Sequence, residues 1–325
     1  VRACSTDSNC GDLIDWTDVQ TDIGSSSYTS DWSMPSAVWD ALSYGTSYIS
    51  VKVADTAGNS AQMPSVFYVN KTADGAVFTS AWTSGETDDN YCAAWGDLDG
   101  DGDLDQVVGS SSSPNRVYSN TGGGFTLSWS STDTDTTRSL VPGDYDRDGD
   151  LDLLEGNQDN VNRVYENDGS MSFSTAWSSS NNINTFDAEW GDLDNDGDLD
   201  IVFANMNSVD RTWLNAGGDS FSSGWASSES EHTTAVAWTD ANGDGALDLV
   251  FANNGDPNRV YTNRDGWSFD LAWSSSESDS TFHIITGDMD SDGDLDFIAG
   301  NYNQPDRLYS NNSSAQFSAS WSSSE

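Results

Sequence analysis

Three unrelated patterns in this chain recur in step, and their shared period restricts the fold more than any single residue does. The first is an acidic nonapeptide, DLDGDGDLD from Asp97, DYDRDGDLD from Asp144, DLDNDGDLD from Asp192, DANGDGALD from Asp240 and DMDSDGDLD from Asp288, with starts 47, 48, 48 and 48 residues apart. The second is NRVYSN at Asn115, NRVYEN at Asn162, DRTWLN at Asp210, NRVYTN at Asn258 and DRLYSN at Asp306. The third sets Phe four residues before Trp, at Phe78/Trp82, Phe125/Trp129, Phe173/Trp177, Phe221/Trp225, Phe269/Trp273 and Phe317/Trp321.

Each period parses into short strands. QVVG, LLEG, IVFAN, LVFAN and FIAGN follow the acidic loops and are too short for helices. Before each loop, alternate positions are mostly apolar, Ala93/Trp95, Leu140/Pro142, Ala188/Trp190, Val236/Trp238 and Ile284/Thr286, as on one face of a strand. Phe and Trp four apart are expected to share a strand face as well. With the NRVY segment, a repeat holds four strands parted by Gly, Ser, Asn and Asp turns. The fold class is therefore all-β, a β-propeller of four-stranded blades with about five 48-residue repeats. Five acidic loops flanked by six Phe/Trp pairs leave one extra strand. The arginine of each NRVY segment, Arg116, Arg163, Arg211, Arg259 and Arg307, is expected to form a structural pair with a neighbouring carboxylate or carbonyls, rather than to bind an anionic ligand, which rarely needs five identical sites.

Crowded carboxylates raise one another's pKa unless a cation compensates them. Calcium takes 6 to 8 oxygens at about 2.3–2.6 Å, and acids alternating along a tight turn can converge on one centre. Glycine at the sixth position, Gly102, Gly149, Gly197, Gly245 and Gly293, permits that turn. The expected metal residues are Asp97, Asp99, Asp101, Asp103 and Asp105 in the first loop and Asp144, Asp146, Asp148, Asp150 and Asp152 in the second. The third contributes Asp192, Asp194, Asp196, Asp198 and Asp200, the fourth Asp240, Asn242, Asp244, Ala246 and Asp248, and the fifth Asp288, Asp290, Asp292, Asp294 and Asp296. Positions 1, 3, 5 and 9 are assigned side-chain ligands and position 7 only its carbonyl, which is why Ala246 is tolerated. One Ca2+ per loop, about five in all, is the expected cofactor, with the weakest affinity at the fourth loop because Asn242 is uncharged. Glu155 lets the second loop satisfy the EF-hand expression, but Val108, Phe203, Phe251 and Ala299 stand at that place elsewhere and the flanks read as strands.

GDLDNDGDLDIVFAN followed by an NR-x-Y/W-x-N segment resembles the FG-GAP or VCBS-type repeat of integrin-like propellers, over roughly residues 76–325. The resemblance implies calcium at the Asp and Asn positions named above. It also implies an extracellular surface protein working in adhesion, recognition or assembly. Thrombospondin-type repeats and dockerins carry the nonapeptide at much closer spacing.

Residues 1–74 lack the repeat. There YISVKVADTAGNSAQMPSVFYVNKTA alternates along two strands about an Ala-Gly-Asn turn and looks like the closing hairpin of a bacterial Ig-like β-sandwich, short of a full set of strands. The domains are thus expected at 1–74 and 75–325. Cys4 and Cys10 are spaced to close a short disulfide loop, and Cys92 reads as a buried apolar thiol. The first residue is not Met and no leader follows, which reads as a processed or excerpted chain.

With 54 acidic residues against 11 basic ones, the formal net charge of -43 excludes nucleic acid and anionic lipid as partners. No apolar run is long enough to span a bilayer. The 14 Trp, 12 Phe and 11 Tyr set the chain apart from a disordered acidic tail. Neither His232 nor His283 stands in a catalytic context, and no serine lies in a nucleophile elbow. The expectation is a non-enzymatic protein, extracellular or on the cell surface. Its expected partner is an extracellular protein or a glycan, with head-to-tail self-association through exchanged strands into a fibre as one form. A lectin-like propeller is the alternative, and a polysaccharide lyase the third choice. Asn70, Asn311 and Asn312 lie in glycosylation sequons.

Overall fold

The computed structural model describes residues 82–217 and 220–324 in full, and before them the backbone of three strands. The chain divides into two compact units, Val1–Thr83 and Ser84–Glu325. In the first unit, β1 (Arg2–Cys4), β2 (Gly45–Ala54) and β3 (Ser60–Lys71) form an antiparallel sheet in that order, with Gly45 opposite Lys71 and Ala54 opposite Ser60. The two long strands are those of the expected hairpin. Cys10 and Phe78 lie outside the described residues.

The second unit holds five four-stranded antiparallel sheets, each built from consecutive strands. Blade 1 is β4 (Asn90–Gly96), β5 (Asp105–Ser110), β6 (Arg116–Asn120) and β7 (Phe125–Ser130). Blade 2 is β8 (Thr136–Gly143), β9 (Asp152–Gln158), β10 (Arg163–Asn167) and β11 (Phe173–Ser178). Blade 3 is β12 (Thr185–Gly191), β13 (Asp200–Asn205), β14 (Arg211–Asn215) and β15 (Phe221–Ala226). Blade 4 is β16 (Thr233–Thr239), β17 (Asp248–Asn253), β18 (Arg259–Asn263) and β19 (Phe269–Ser274). Blade 5 is β20 (Thr281–Gly287), β21 (Asp296–Asn301), β22 (Arg307–Ser310) and β23 (Ser318–Ser322). First strands pack on one another in sequence, β4 on β8, β8 on β12, β12 on β16 and β16 on β20, while β20 and β4 make no comparable contact.

Apolar burial lies between blades. One cluster joins Leu154 and Val164 of blade 2 to Ala188, Trp190, Ile201, Phe203 and Phe221 of blade 3. Trp190 lies over Gly143 of the blade before, where an added Cβ would come within 2.6 Å of the indole, so the glycine preceding the acidic loop keeps room for its neighbour's tryptophan.

The Phe/Trp series departs from the shared-face expectation. Trp177 pairs with Val164 but Thr175 pairs with Tyr165, so a bulge at residue 176 shifts the alternation by one. Phe173 therefore meets Trp129 of the preceding blade at 5.1 Å, whereas Trp177 meets Trp213 and Phe221 of the following blade at 5.0 and 5.5 Å. One strand thus supplies an aromatic ring to each of two seams.

The end blades differ from the interior ones. Ala93 and Trp95 on β4 are exposed, as are His283 and Ile285 on β20, while the corresponding strand of blade 4 is buried on most of both faces. Among the described residues no helix is long and apolar enough to cross a membrane.

Candidate metal centres

Each acidic loop joins the first two strands of its blade, and its backbone turns left-handed twice. The glycine at position 6 has φ between 88° and 99° in all five loops. Position 4 is also left-handed, at Gly100, Arg147, Asn195, Gly243 and Ser291. The second turn escapes a sequence reading because Arg147 and Ser291 carry no mark of it.

The side chains then hold the loop from within. At position 1, one oxygen of Asp97, Asp192 and Asp240 accepts the N–H of the position-6 glycine at 3.0 Å. At position 5, Asp101, Asp148, Asp196, Asp244 and Asp292 each accept the N–H of position 7 at 2.8–3.0 Å. Position 7 carboxylates turn elsewhere, Asp198 to the Arg147 guanidinium and Asp294 to the Ser313 hydroxyl.

Position 9 is the fixed corner. The Asp200 carboxylate is fully buried and accepts Leu193 N–H with one oxygen and Asn215 N–H with the other, both at 2.8 Å. Asp105, Asp152, Asp248 and Asp296 repeat this double acceptance. The asparagine closing each NR-x-Y/W-x-N segment is thus part of the loop, a role that reading the motif alone missed. Its side chain reaches further, since the amides of Asn167, Asn215, Asn263 and Asn311 donate to the carbonyls of Leu98, Tyr145, Leu193 and Ala241 in the preceding blade's loop.

Positions 1, 3 and 9 converge. Within each of Asp97/Asp99/Asp105, Asp144/Asp146/Asp152, Asp192/Asp194/Asp200 and Asp288/Asp290/Asp296, one carboxylate oxygen per residue lies within 4.8 Å of the others. The position-5 aspartates stand outside these triplets. In the fourth loop Asn242 takes the middle place and its amide donates to Asp244 at 2.9 Å.

A divalent cation fits this geometry on two counts. Asp97 Oδ1, Asp144 Oδ1 and Asp192 Oδ1 are buried with no hydrogen-bond partner among the described residues, an arrangement that costs about 1–3 kcal/mol per group unless something binds it. The donor set is all hard oxygen, as calcium requires. Charge points the same way. Burial, opposed by the N–H groups of Asn167 and Tyr145 and reinforced by Asp146 and Asp148, pushes Asp152 up to about 7. Burial likewise lifts Asp200 and Asp248 to about 6.

The arginine series is mostly structural. Arg163 pairs with Asp135 at 2.7 Å and with the buried Glu155 at 2.9 Å, Arg259 with Glu231 at 2.7 Å, Arg307 with Asp279 at 2.6 Å, and Arg116 with Asp88. Cys92 packs partly buried beside the first seam, and burial pushes its thiol up to about 12. Of the sequon asparagines, Asn311 is buried with its amide engaged and Asn312 is exposed.

The repeated sheets and their acidic loops define a repeat protein of the β-propeller type. The FG-GAP-like repeat matches residues 97–155, 150–203, 192–251 and 240–299, and the chain belongs to that family. Similar folds include an Agrocybe aegerita lectin solved for its specific recognition of non-reducing terminal N-acetylglucosamine, 17% identical, covering 74% of this chain and 67% of that one at a TM-score of 0.50. The WD40 β-propeller domain of Doa1 is 12% identical, covering 72% and 69% at a TM-score of 0.50. No curated protein matches the chain.

Proposed function

We propose that this chain is a calcium-stiffened, non-enzymatic module of an extracellular surface protein, and that its blade stack joins further copies head to tail. Residues 1–74 serve as an Ig-like β-sandwich module in this reading, and residues 75–325 as the calcium-binding propeller. Each acidic loop holds one Ca2+ through its position 1, 3 and 9 side chains, with position 5 and the position 7 carbonyl drawn in around the ion.

The observation that carries assembly is the pair of end faces. Trp95, 54% exposed on blade 1, stands where Trp190 of blade 3 is buried against blade 2, and Ile285, 56% exposed on blade 5, lies on the opposite face of its sheet. Interior blades bury both faces against neighbours, so blade 5 of one copy offers what blade 1 of another lacks, a heterologous contact that propagates. Every blade already has four strands of its own, which favours face-to-face stacking over strand exchange.

Sedimentation velocity of the full chain in millimolar calcium tests this. Wild type is expected to form a concentration-dependent series of oligomers, Trp95→Asp and Ile285→Asp to remain monomeric alone, and their mixture to stop at dimers. A monomer at every calcium and protein concentration would refute assembly. A glycan-binding role is the second reading, supported by the exposed Trp267 and Tyr302, and a glycan array separates the two.

A further inference from the structure

In four of the five blades a guanidinium and a phenol close on a pair of acids. Tyr118, Tyr165, Tyr261 and Tyr309 donate to Glu86, Asp133, Glu229 and Glu277, each 32 residues earlier, at 3.0, 2.9, 2.9 and 3.3 Å. The arginine two residues before each tyrosine pairs with the acid 28 residues before it. Blade 3 keeps the arginine and loses the rest. The two acidic places are Asn181 and Ile183, and the tyrosine is Trp213.

Blade 3 keeps the inner register and the ring contact of its sisters, while its outer pairing opens at Thr212, whose hydroxyl accepts the Trp225 N–H at 2.8 Å. Arg211 pairs in register with Phe203 as Arg259 does with Phe251, and Trp213 meets Trp177 edge-on at 5.0 Å as Tyr165 meets Trp129 at 5.3 Å and Tyr261 meets Trp225 at 4.9 Å. Among the described residues the Arg211 guanidinium has no hydrogen bond or ion pair, and the Trp213 indole Nε1 is buried without a partner. One arginine and two acids give the clamps of blades 1, 4 and 5 a local charge of -1, Glu155 makes that of blade 2 more negative still, and the same place in blade 3 carries +1.

We propose that blade 3 binds the carboxylate of an acidic sugar between the Arg211 guanidinium and the Trp213 indole N–H. The ligand's carboxylate takes the part that the protein's own acids take in the other blades, a charge-assisted contact to guanidinium beside a second donor. Asn181, exposed at a place where the sister blades carry an acid, offers its amide to the sugar's hydroxyls. A single carboxylate is suited to this site, because at physiological ionic strength charges beyond about 8 Å are largely screened. An acidic polymer would bring many charges against the -43 of the chain.

The test is titration of the full chain in calcium with glucuronate, glucose and a glutamyl dipeptide, following the Trp213 indole N–H resonance, assigned with Trp213→Phe. Glucuronate is expected to shift it saturably and glucose to leave it in place. Ile183→Asp restores the acid found in the sister blades, so it should fold as the wild type does and weaken glucuronate at least tenfold. Arg211→Gln should do the same and stands in should Ile183→Asp not fold. Undiminished binding to both variants, equal binding of glucose, or tighter binding of the dipeptide than of the sugar would each overturn the proposal.

Discussion

Replacing Asp192 by Asn separates the metal's contribution from the loop's own hydrogen bonding. One Asp192 oxygen accepts the Gly197 N–H at 3.0 Å, and the Asn carbonyl can do the same. The other oxygen is buried without a partner, so nothing else in the protein is lost with it. In chelator the substitution also removes one of three converging charges, and the net change is expected to stay within about 1 kcal/mol. In calcium it removes a ligand from the Asp192/Asp194/Asp200 triplet. A site held at a hundredfold excess over its Kd adds about 2.7 kcal/mol to stability, and that amount disappears if the variant no longer binds there. For a unit of this size about 1 kcal/mol moves Tm by roughly 2–4 °C, so the expected loss is about 5–11 °C in calcium and at most a few degrees in chelator. Differential scanning calorimetry of both proteins under both conditions reads it directly. Equal losses with and without calcium, or a wild-type Tm indifferent to calcium, would refute the assignment of these loops as metal sites.

Three further outcomes follow from buried charge. Asp152, at about 7, and Asp200 and Asp248, at about 6, hold protons in the metal-free fold that calcium must displace, so affinity is full above pH 7 and falls as pH drops through 6. Titration calorimetry in two buffers of different ionisation enthalpy counts those protons. Asp210, pushed up to about 8 chiefly by burial, lies far above its unfolded value, so the fold loses stability as pH rises from about 4 toward 8. Asp210→Asn, the residue of three sister blades, should therefore stabilise the protein, with a gain that grows up to pH 8 in urea denaturation curves. Arg163→Gln strands Glu155, whose side chain is wholly buried, and should cost about 3–5 kcal/mol. Arg307→Gln should cost under about half of that, because Asp279 keeps some access to water.

The repeat was legible because period, glycine and aspartate all leave marks in residue type. Four strands per period follow from short apolar runs between turn residues, and the left-handed glycine at position 6 follows from the tight turn. What stayed hidden has no such mark. A bulge at residue 176 is a register shift between Val164 and Tyr165, and it sends Phe173 and Trp177 to opposite faces although their spacing favours one. The left-handed conformation of Arg147 and Ser291 is imposed by the loop around them. Likewise Trp95 is exposed and Trp190 buried at the same place in the repeat, because burial depends on whether a blade precedes.

The hidden asparagine has the widest consequence. Asp105 holds Leu98 N–H, Leu98 carbonyl accepts the Asn167 amide, and Asn167 N–H is held by Asp152. Asp152 holds Tyr145 N–H, whose carbonyl accepts from Asn215, and so on through Asp200, Asn263, Asp248 and Asn311 to Asp296. The five position-9 carboxylates are therefore links in one hydrogen-bonded line that crosses every seam. Each of these carboxylates is also a corner of its own loop, so an ion that fixes one corner orders the turn on which the next blade's asparagine rests. Coupling of this kind runs between adjacent blades and fades with distance, as nearest-neighbour stability does in repeat proteins. A metal lost from the third loop should accordingly weaken binding at the second and fourth loops more than at the first and fifth.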